Sequence, residues 1–283
     1  TGTAISYIAL GSYFEQQGGN DSCLFYYEEA IKTLRPANNK EVLSFGLYEF
    51  ANVLSRMEAY DRAIPMLLEA VKLYEEAGND LQTAGGYLSL GIFFFRVDKL
   101  EKAESYFKKA AILNERIQSI EIGFSISSNS ASIHSAKGDY QKSLEEYTKA
   151  LEIAQKFQFG PNLECILLSN MAQQYKSLGD LELAISSNEK AISLGDQVMI
   201  PTQKAILLYD LGRAYFDNQQ LNKAILTLER SLRLSKENKQ TKLALQNHFL
   251  LSQIYDIQTK YQLAHDHLQE AYSLKDTINK ANT

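Results

Sequence analysis

YKSLGDLELAISSNEKA, from Tyr175 to Ala191, holds the pattern that the rest of the chain repeats. Gly179-Asp180 reads as a tight turn between two helices. Glycine carries the backbone through the bend, and the aspartate side chain is expected to accept from the free N–H groups that open the next helix. Met171, Ala172 and Tyr175 recur at helical spacing before the turn, as Ala184 and Ala191 do after it. Small residues at such places let two helix backbones approach closely. The unit is a helical hairpin with one tight seam.

Laid against itself, the chain shows this hairpin seven times. The small residue that opens the seam in the second helix falls at Cys23, Ala63, Ala103, Ser143, Ala184, Ala224 and Ala264. Seven residues later stand Ala30, Ala70, Ala110, Ala150, Ala191, Ser231 and Ala271. The first helix keeps its own small position at Gly11, Ala51, Gly91, Ala131, Ala172, Gly212 and Ser252. Three residues on comes a large partner: Phe14, Leu54, Phe94, His134, Tyr175, Tyr215 and Tyr255. The period is about 40 residues, with one extra residue after the second helix of the fourth unit, and a fixed period of this size marks a stacked repeat.

The 283 residues carry a net charge of −5, which argues against a general nucleic-acid binder. Four prolines and no tryptophan, beside abundant Leu, Ala, Glu, Lys and Gln, suit an all-α protein. Pro36 is expected to stop a helix, and Pro65, Pro161 and Pro201 to sit in first turns, where a missing N–H costs little. The ANNKEV stretch from Ala37 reads as a polar link. Cys23 and Cys165 fall in separate units, so a disulfide between them is not expected. Nothing is apolar for long enough to span a membrane. The start at Thr1, without methionine or leader, suits a mature product or an excised fragment.

These residues resemble the tetratricopeptide repeat, which pairs Leu-Gly and a later Tyr in helix A with Ala, Phe and Ala in helix B. LGIFF from Leu90, followed by Ala103, Phe107 and Ala110, carries the likeness, and so does LGRAY from Leu211 with Ala224, Leu228 and Ser231. The units here exceed the family's usual length of about 34 residues. The resemblance implies one right-handed α-solenoid domain over 1–283, of about seven hairpins at 3–36, 43–77, 81–116, 122–157, 162–196, 202–236 and 243–279.

No P-loop, GxSxG or HExxH pattern occurs, and no active site, metal site or cofactor is expected. His265 and His267, two apart on a helix, point to different sides and read as surface residues. His134, in the large helix-A position, reads as a satisfied interior histidine. Glu145 and Lys149 are expected to pair at i,i+4 on a solvated face.

What remains is the inner wall, which stacked hairpins line with helix-A residues that stay out of the seam. The family's binding positions, carried onto this chain, give Tyr48, Asn52 and Arg56 in unit two, with Phe45 and Glu49 beside them. They give Ser89 and Arg96 in unit three, and Asn129 and Ser132 in the serine-rich helix of unit four. Unit five supplies Ser169, Asn170, Gln173 and Lys176; unit six supplies Tyr209, Asp210, Arg213 and Asp217. Asn129 and Asn170 hold the same position in adjacent units and are expected to form a short amide ladder for a peptide backbone. Arg56, Arg96, Lys176 and Arg213 are expected to hold a carboxylate.

AYSLKDTIN, from Ala271 to Asn279, is similar to the segment that closes the repeat array in sensor histidine kinases of Bacteroidetes. That likeness implies a periplasmic, non-catalytic sensing region whose partner is a peptide or protein segment. The forty-residue units are also similar to the cytoplasmic peptide-sensing regulators of Gram-positive bacteria, so a quorum-peptide receptor or a general scaffold is the alternative. An enzyme would need a buried acid or base pair in the groove, and the sequence nominates none.

Overall fold

The computed structural model describes residues 2–37, 39–196 and 198–281, and they are all-α. Asn38 of the polar link, Thr1 and the last two residues lie outside the described residues. The helices are α1 (Gly2–Gln16), α2 (Asn20–Leu34), α3 (Lys40–Arg56), α4 (Tyr60–Glu76), α5 (Asp80–Arg96), α6 (Leu100–Ile117) and α7 (Ile120–Ala136). They continue with α8 (Tyr140–Lys156), α9 (Pro161–Leu178), α10 (Leu181–Gly195), α11 (Pro201–Asp217), α12 (Leu221–Glu237), α13 (Thr241–Ile257) and α14 (Tyr261–Ala281). Helices of 17 residues joined by three-residue links fill the forty-residue period, which accounts for its excess over the family norm.

The chain divides into two compact units, residues 1–136 and 137–283. In the first, α1 packs on α2, α3 on α4 and α5 on α6, and α7 lies against α5 and α6. In the second, α8 packs on α9, and the hairpins α9–α10, α11–α12 and α13–α14 follow. The seam obeys the small-residue rule: Ala30, Ala70, Ala110, Ala150, Ala191, Ser231 and Ala271 are all fully buried. Opposite them the helix-A glycines receive large helix-B side chains. A methyl group added at Gly91 would stand 2.4 Å from the Phe107 ring, and one at Gly212 would stand 2.7 Å from Leu228.

Each hairpin turn is built from backbone. One residue per turn adopts positive φ: Gly18, Glu58, Asp98, Gly138, Gly179, Gln219 and Thr259. The next N–H reaches back to the carbonyl of the large helix-A residue, as from Ala59 to Leu54 (2.9 Å), Asp180 to Tyr175 (2.9 Å) and Lys260 to Tyr255 (2.9 Å). These bonds close the end of helix A. The expected Asp180 side-chain cap is absent: the residue sits at φ −82°, ψ 67°, short of the extended backbone that aims a capping side chain. Asparagine caps do form between hairpins, Asn39 accepting from Val42 N–H (3.1 Å) and Asn79 from Gln82 N–H (3.2 Å).

The prolines divide. Pro161 and Pro201 open α9 and α11 as expected, and α2 ends at Leu34 in a 3-10 turn that holds Pro36. Pro65 differs, because α4 begins at Tyr60 and places it in the second turn, where Asp61 loses its i+4 donor. Lys149 pairs with Glu146 (2.6 Å) rather than Glu145.

Candidate functional site

The predicted wall residues divide between the two units. In the first, α3 and α5 bring Tyr48 and Ser89 together, with 3.3 Å between their hydroxyls, and Tyr48 meets Tyr74 edge-on. Asn52 is half-buried, and Arg96 is exposed at the end of α5. Arg56 donates to Glu15 of α1, so its guanidinium is already occupied by a carboxylate of the protein. Burial raises the Glu49 carboxyl above its ordinary range, with Glu15 adding to the rise and Arg56 opposing it.

Two polar side chains of the serine-rich α7 turn back onto their own helix. Asn129 donates to Ser125 O at 2.7 Å and Ser132 to Ser128 O at 3.2 Å. Short polar side chains on a helix satisfy themselves this way. The Asn129 amide expected to face a ligand therefore spends a donor inside its own helix. Asn170 belongs to the second unit.

In the second unit the helix-A wall is hollowed. A cavity of about 370 Å³ opens between α9 and α11, lined by Ser169 and Asn170 together with Ile166, Met199, Ile200 and Leu207. A larger one of about 740 Å³ follows along α11 and α13, lined by Tyr209, Asp210, Lys239, Lys242 and Gln246, with Thr277 and Ile278 from α14. Ile206 lines both, so the two chambers are neighbours in one trench. Volumes of this order are those of ligand sites.

The trench is greasy at one end and ionic at the other. Ile166, Ile200 and Ile206 are each about half exposed and Val198 somewhat less, an apolar patch at the mouth of the smaller chamber. In the larger chamber Asp210 accepts no hydrogen bond and forms no ion pair among the described residues. Burial pushes its carboxyl up to about 6, against the pull of Lys176 and Arg213. Lys176 is itself bound to Asp217 at 2.8 Å, while Gln173 and Arg213 remain exposed.

Ser169, Asn170, Tyr209 and Asp210 are thus trench residues that the repeat positions pointed to. Val198, Met199 and Ile200 were missed because they stand in a link, Lys239 because it stands in a turn and Lys242 because it lies in the first turn of α13. Their signal in the sequence is an apolar VMI run where a polar link is the rule.

Histidine placement corrects one expectation. His265 is exposed, but His267 is half-buried and its Nδ1 lies 2.9 Å from Nδ1 of His248 on α13. Among the described residues no group of three or more His, Cys, Asp or Glu is placed to hold a metal ion. His134 is half-buried, and Cys23 and Cys165 are free, buried thiols. No helix of the described residues is long and apolar enough to cross a membrane.

Hairpins repeated around one seam rule, with a hollowed wall of first helices, define a helical-repeat binding scaffold. The family model of the tetratricopeptide repeat matches residues 124–197 and 163–237. Residues 124–237 thus carry tetratricopeptide repeats, and the described chain as a whole has a tetratricopeptide-like helical-repeat fold.

No curated protein matches it in sequence. Among solved structures it is similar to the apo form of RapI, at a TM-score of 0.74 and 14% identity over 98% of this chain and 99% of that one. It is also similar to a signal-transduction ATPase with a tetratricopeptide repeat sensor from Pyrococcus horikoshii, at 0.68 and 19%, covering 90% of this chain and 41% of that one. A third is the Rap conjugation gene regulator of the plasmid pLS20, solved with a Phr peptide, at 0.59 and 16%, covering 97% and 74%. At these identities the likeness is one of fold.

Proposed function

We propose that this chain is a non-catalytic module that binds a peptide or protein segment against its helix-A walls and acts as the ligand-sensing region of a signal-transduction protein. The observation that carries the reading is the trench of the second unit, where Ser169, Asn170 and Tyr209 line two adjoining chambers beside exposed isoleucines. Exposed apolar residues rimmed by polar groups are the usual mark of a binding surface. A carboxamide such as Asn170 supplies both a donor and an acceptor to an extended backbone.

The solved relatives support this direction. One is a regulator holding a peptide, and another carries its repeats as a sensor. The role sets the compartment: periplasmic for a sensor attached to a histidine kinase, cytoplasmic for a quorum-peptide receptor.

The test is direct. Asn170→Ala and Tyr209→Ala should each weaken capture of peptides from a random synthetic pool by about tenfold, the loss of one or two hydrogen bonds, with the melting temperature held within a degree or two. Failure of the unaltered protein to retain any peptide would remove the reading. A reading frame that runs past Thr283 into a membrane span and a kinase would support the periplasmic sensor; a stop at that point would remove it.

A further inference from the structure

The larger chamber contains an acid that has no hydrogen-bond or ion-pair partner among the described residues. This acid, Asp210, lines it from α11; of the two cations that pull on its carboxyl, Lys176 is held by Asp217 at 2.8 Å and Arg213 is exposed. A half-buried carboxylate without a partner costs folding free energy, and a fold retains one where something external completes it. On the same chamber wall Lys239 and Lys242 form no ion pair among the described residues. The chamber therefore offers one anion and two cations, and next to it, across Ile206, lies the apolar chamber of Ile166, Met199 and Ile200.

Resting on the peptide-binding reading above, we propose that the trench recognises a short peptide by its primary ammonium, seated on Asp210, with an apolar side chain of the same peptide in the smaller chamber. An anion in place of the ammonium would face an unpaired carboxylate. A divalent cation would find one carboxylate there and, among the described residues, no group of three or more His, Cys, Asp or Glu to hold it. A small amine would satisfy Asp210 and leave the second chamber and its exposed isoleucines uncovered. A peptide a few residues long reaches both chambers, and an acidic group near its ammonium would meet Lys239 or Lys242.

An ammonium seated on Asp210 favours the charged carboxylate, so the carboxyl falls from about 6 toward its ordinary range when the site is filled. That change reports occupancy at the named atom.

Three pools of random synthetic pentapeptides separate the sources of the ammonium: lysine-free with a free amino terminus, N-acetylated and lysine-free, and N-acetylated with lysine. Each pool is passed over the full chain, retained peptides are identified by mass, and their affinities are measured by calorimetry. The proposal expects retention from the first or third pool, enriched in one aliphatic position, and a loss of about tenfold or more when the retained amine is acetylated. Asp210→Asn should show the same loss without a lower melting temperature, since it removes a partly desolvated charge. Carbon-detected titration of Asp210 should show its carboxyl falling on binding.

Retention of acetylated, lysine-free peptides at equal affinity, or unchanged binding by Asp210→Asn, overturns the ammonium site and leaves the peptide reading standing. Retention of nothing from any pool overturns both.

Discussion

Lowering the pH should loosen the closing hairpin of the second unit through one histidine pair. His248 is 3% exposed, and its Nδ1 lies 2.9 Å from Nδ1 of His267. That contact needs one ring to donate and the other to accept, so both cannot be charged. The His248 Nε2 is buried without a partner, which leaves a second proton on that ring unsolvated. His267 stacks on Tyr255, whose hydroxyl donates to Glu229 of α12 at 3.2 Å.

Burial depresses His248 to about 4, and Lys236 of α12 and His267 add to the depression. For His267 burial also wins, helped by Lys236 and opposed by Glu229, Asp266 and Glu270. An unfolded histidine takes up its proton near pH 6.5. Between that value and about 4 the unfolded chain binds the proton and the folded chain does not, so stability is full above pH 6.5 and is lost as pH falls. At pH 5 the gap of about 1.5 units is worth roughly 2 kcal/mol, or about thirtyfold in the opening equilibrium. In a repeat array such a loss stays local, because each hairpin is stabilised mainly by its neighbours.

Hydrogen exchange at pH 7.5, 6 and 5, corrected for intrinsic rates, should show α13 and α14 amides opening about thirtyfold more readily at the lowest value. Exchange in α3–α6 should stay near its starting protection. His248→Gln, neutral throughout, should flatten the change. An equal loss of protection in that variant, or none in the unaltered chain, would refute the reasoning.

Three further outcomes follow from the seam and its turns. Thr259 is a β-branched residue at φ 59°, so Thr259→Gly should stabilise the chain by about 1 kcal/mol in denaturant unfolding, where the same change mid-helix would destabilise it. Gly91→Ala should cost about 1–3 kcal/mol as its methyl meets the Phe107 ring, and Phe107→Leu in the same chain should restore part of the loss, because Ala51 already packs in a hairpin with Leu67. Ser231→Ala restores the alanine that the other six units carry, yet it should destabilise by about 1–2 kcal/mol. Ser231 Oγ donates to Ala205 O (2.7 Å) and accepts from Asn247 (3.0 Å), and all of these groups are sealed from water.

The seam was legible in the chain because it repeats. A small residue every forty positions, with a second small one seven away in one helix and a large one three away in the other, has few physical meanings besides two helices in close contact. Fourteen helices, the turn at Gly179 and the proline-opened starts of α9 and α11 followed from that pattern and from local backbone preferences. The seven hairpin turns reach positive φ with only three glycines among them, so the turn was carried by period rather than by residue type.

What tertiary structure alone decided is which polar groups meet. Tyr48 with Ser89, Arg56 with Glu15 and Lys176 with Asp217 are each 41 residues apart, one more than the usual repeat. A pattern searched at the repeat length passes over them, and so two of the cations assigned to a ligand prove to hold acids of the protein. His267 finds His248 on the facing helix, which no spacing along α14 reveals. The smaller chamber forms where the link holding Val198, Met199 and Ile200 leaves space beside α9 and α11, and the larger where α13 and the end of α14 stand beside α11. Local sequence sets which backbone turns and helices form, since those depend on neighbours along the chain; the faces that meet, and the spaces left between them, depend on side chains brought together from distant positions by packing.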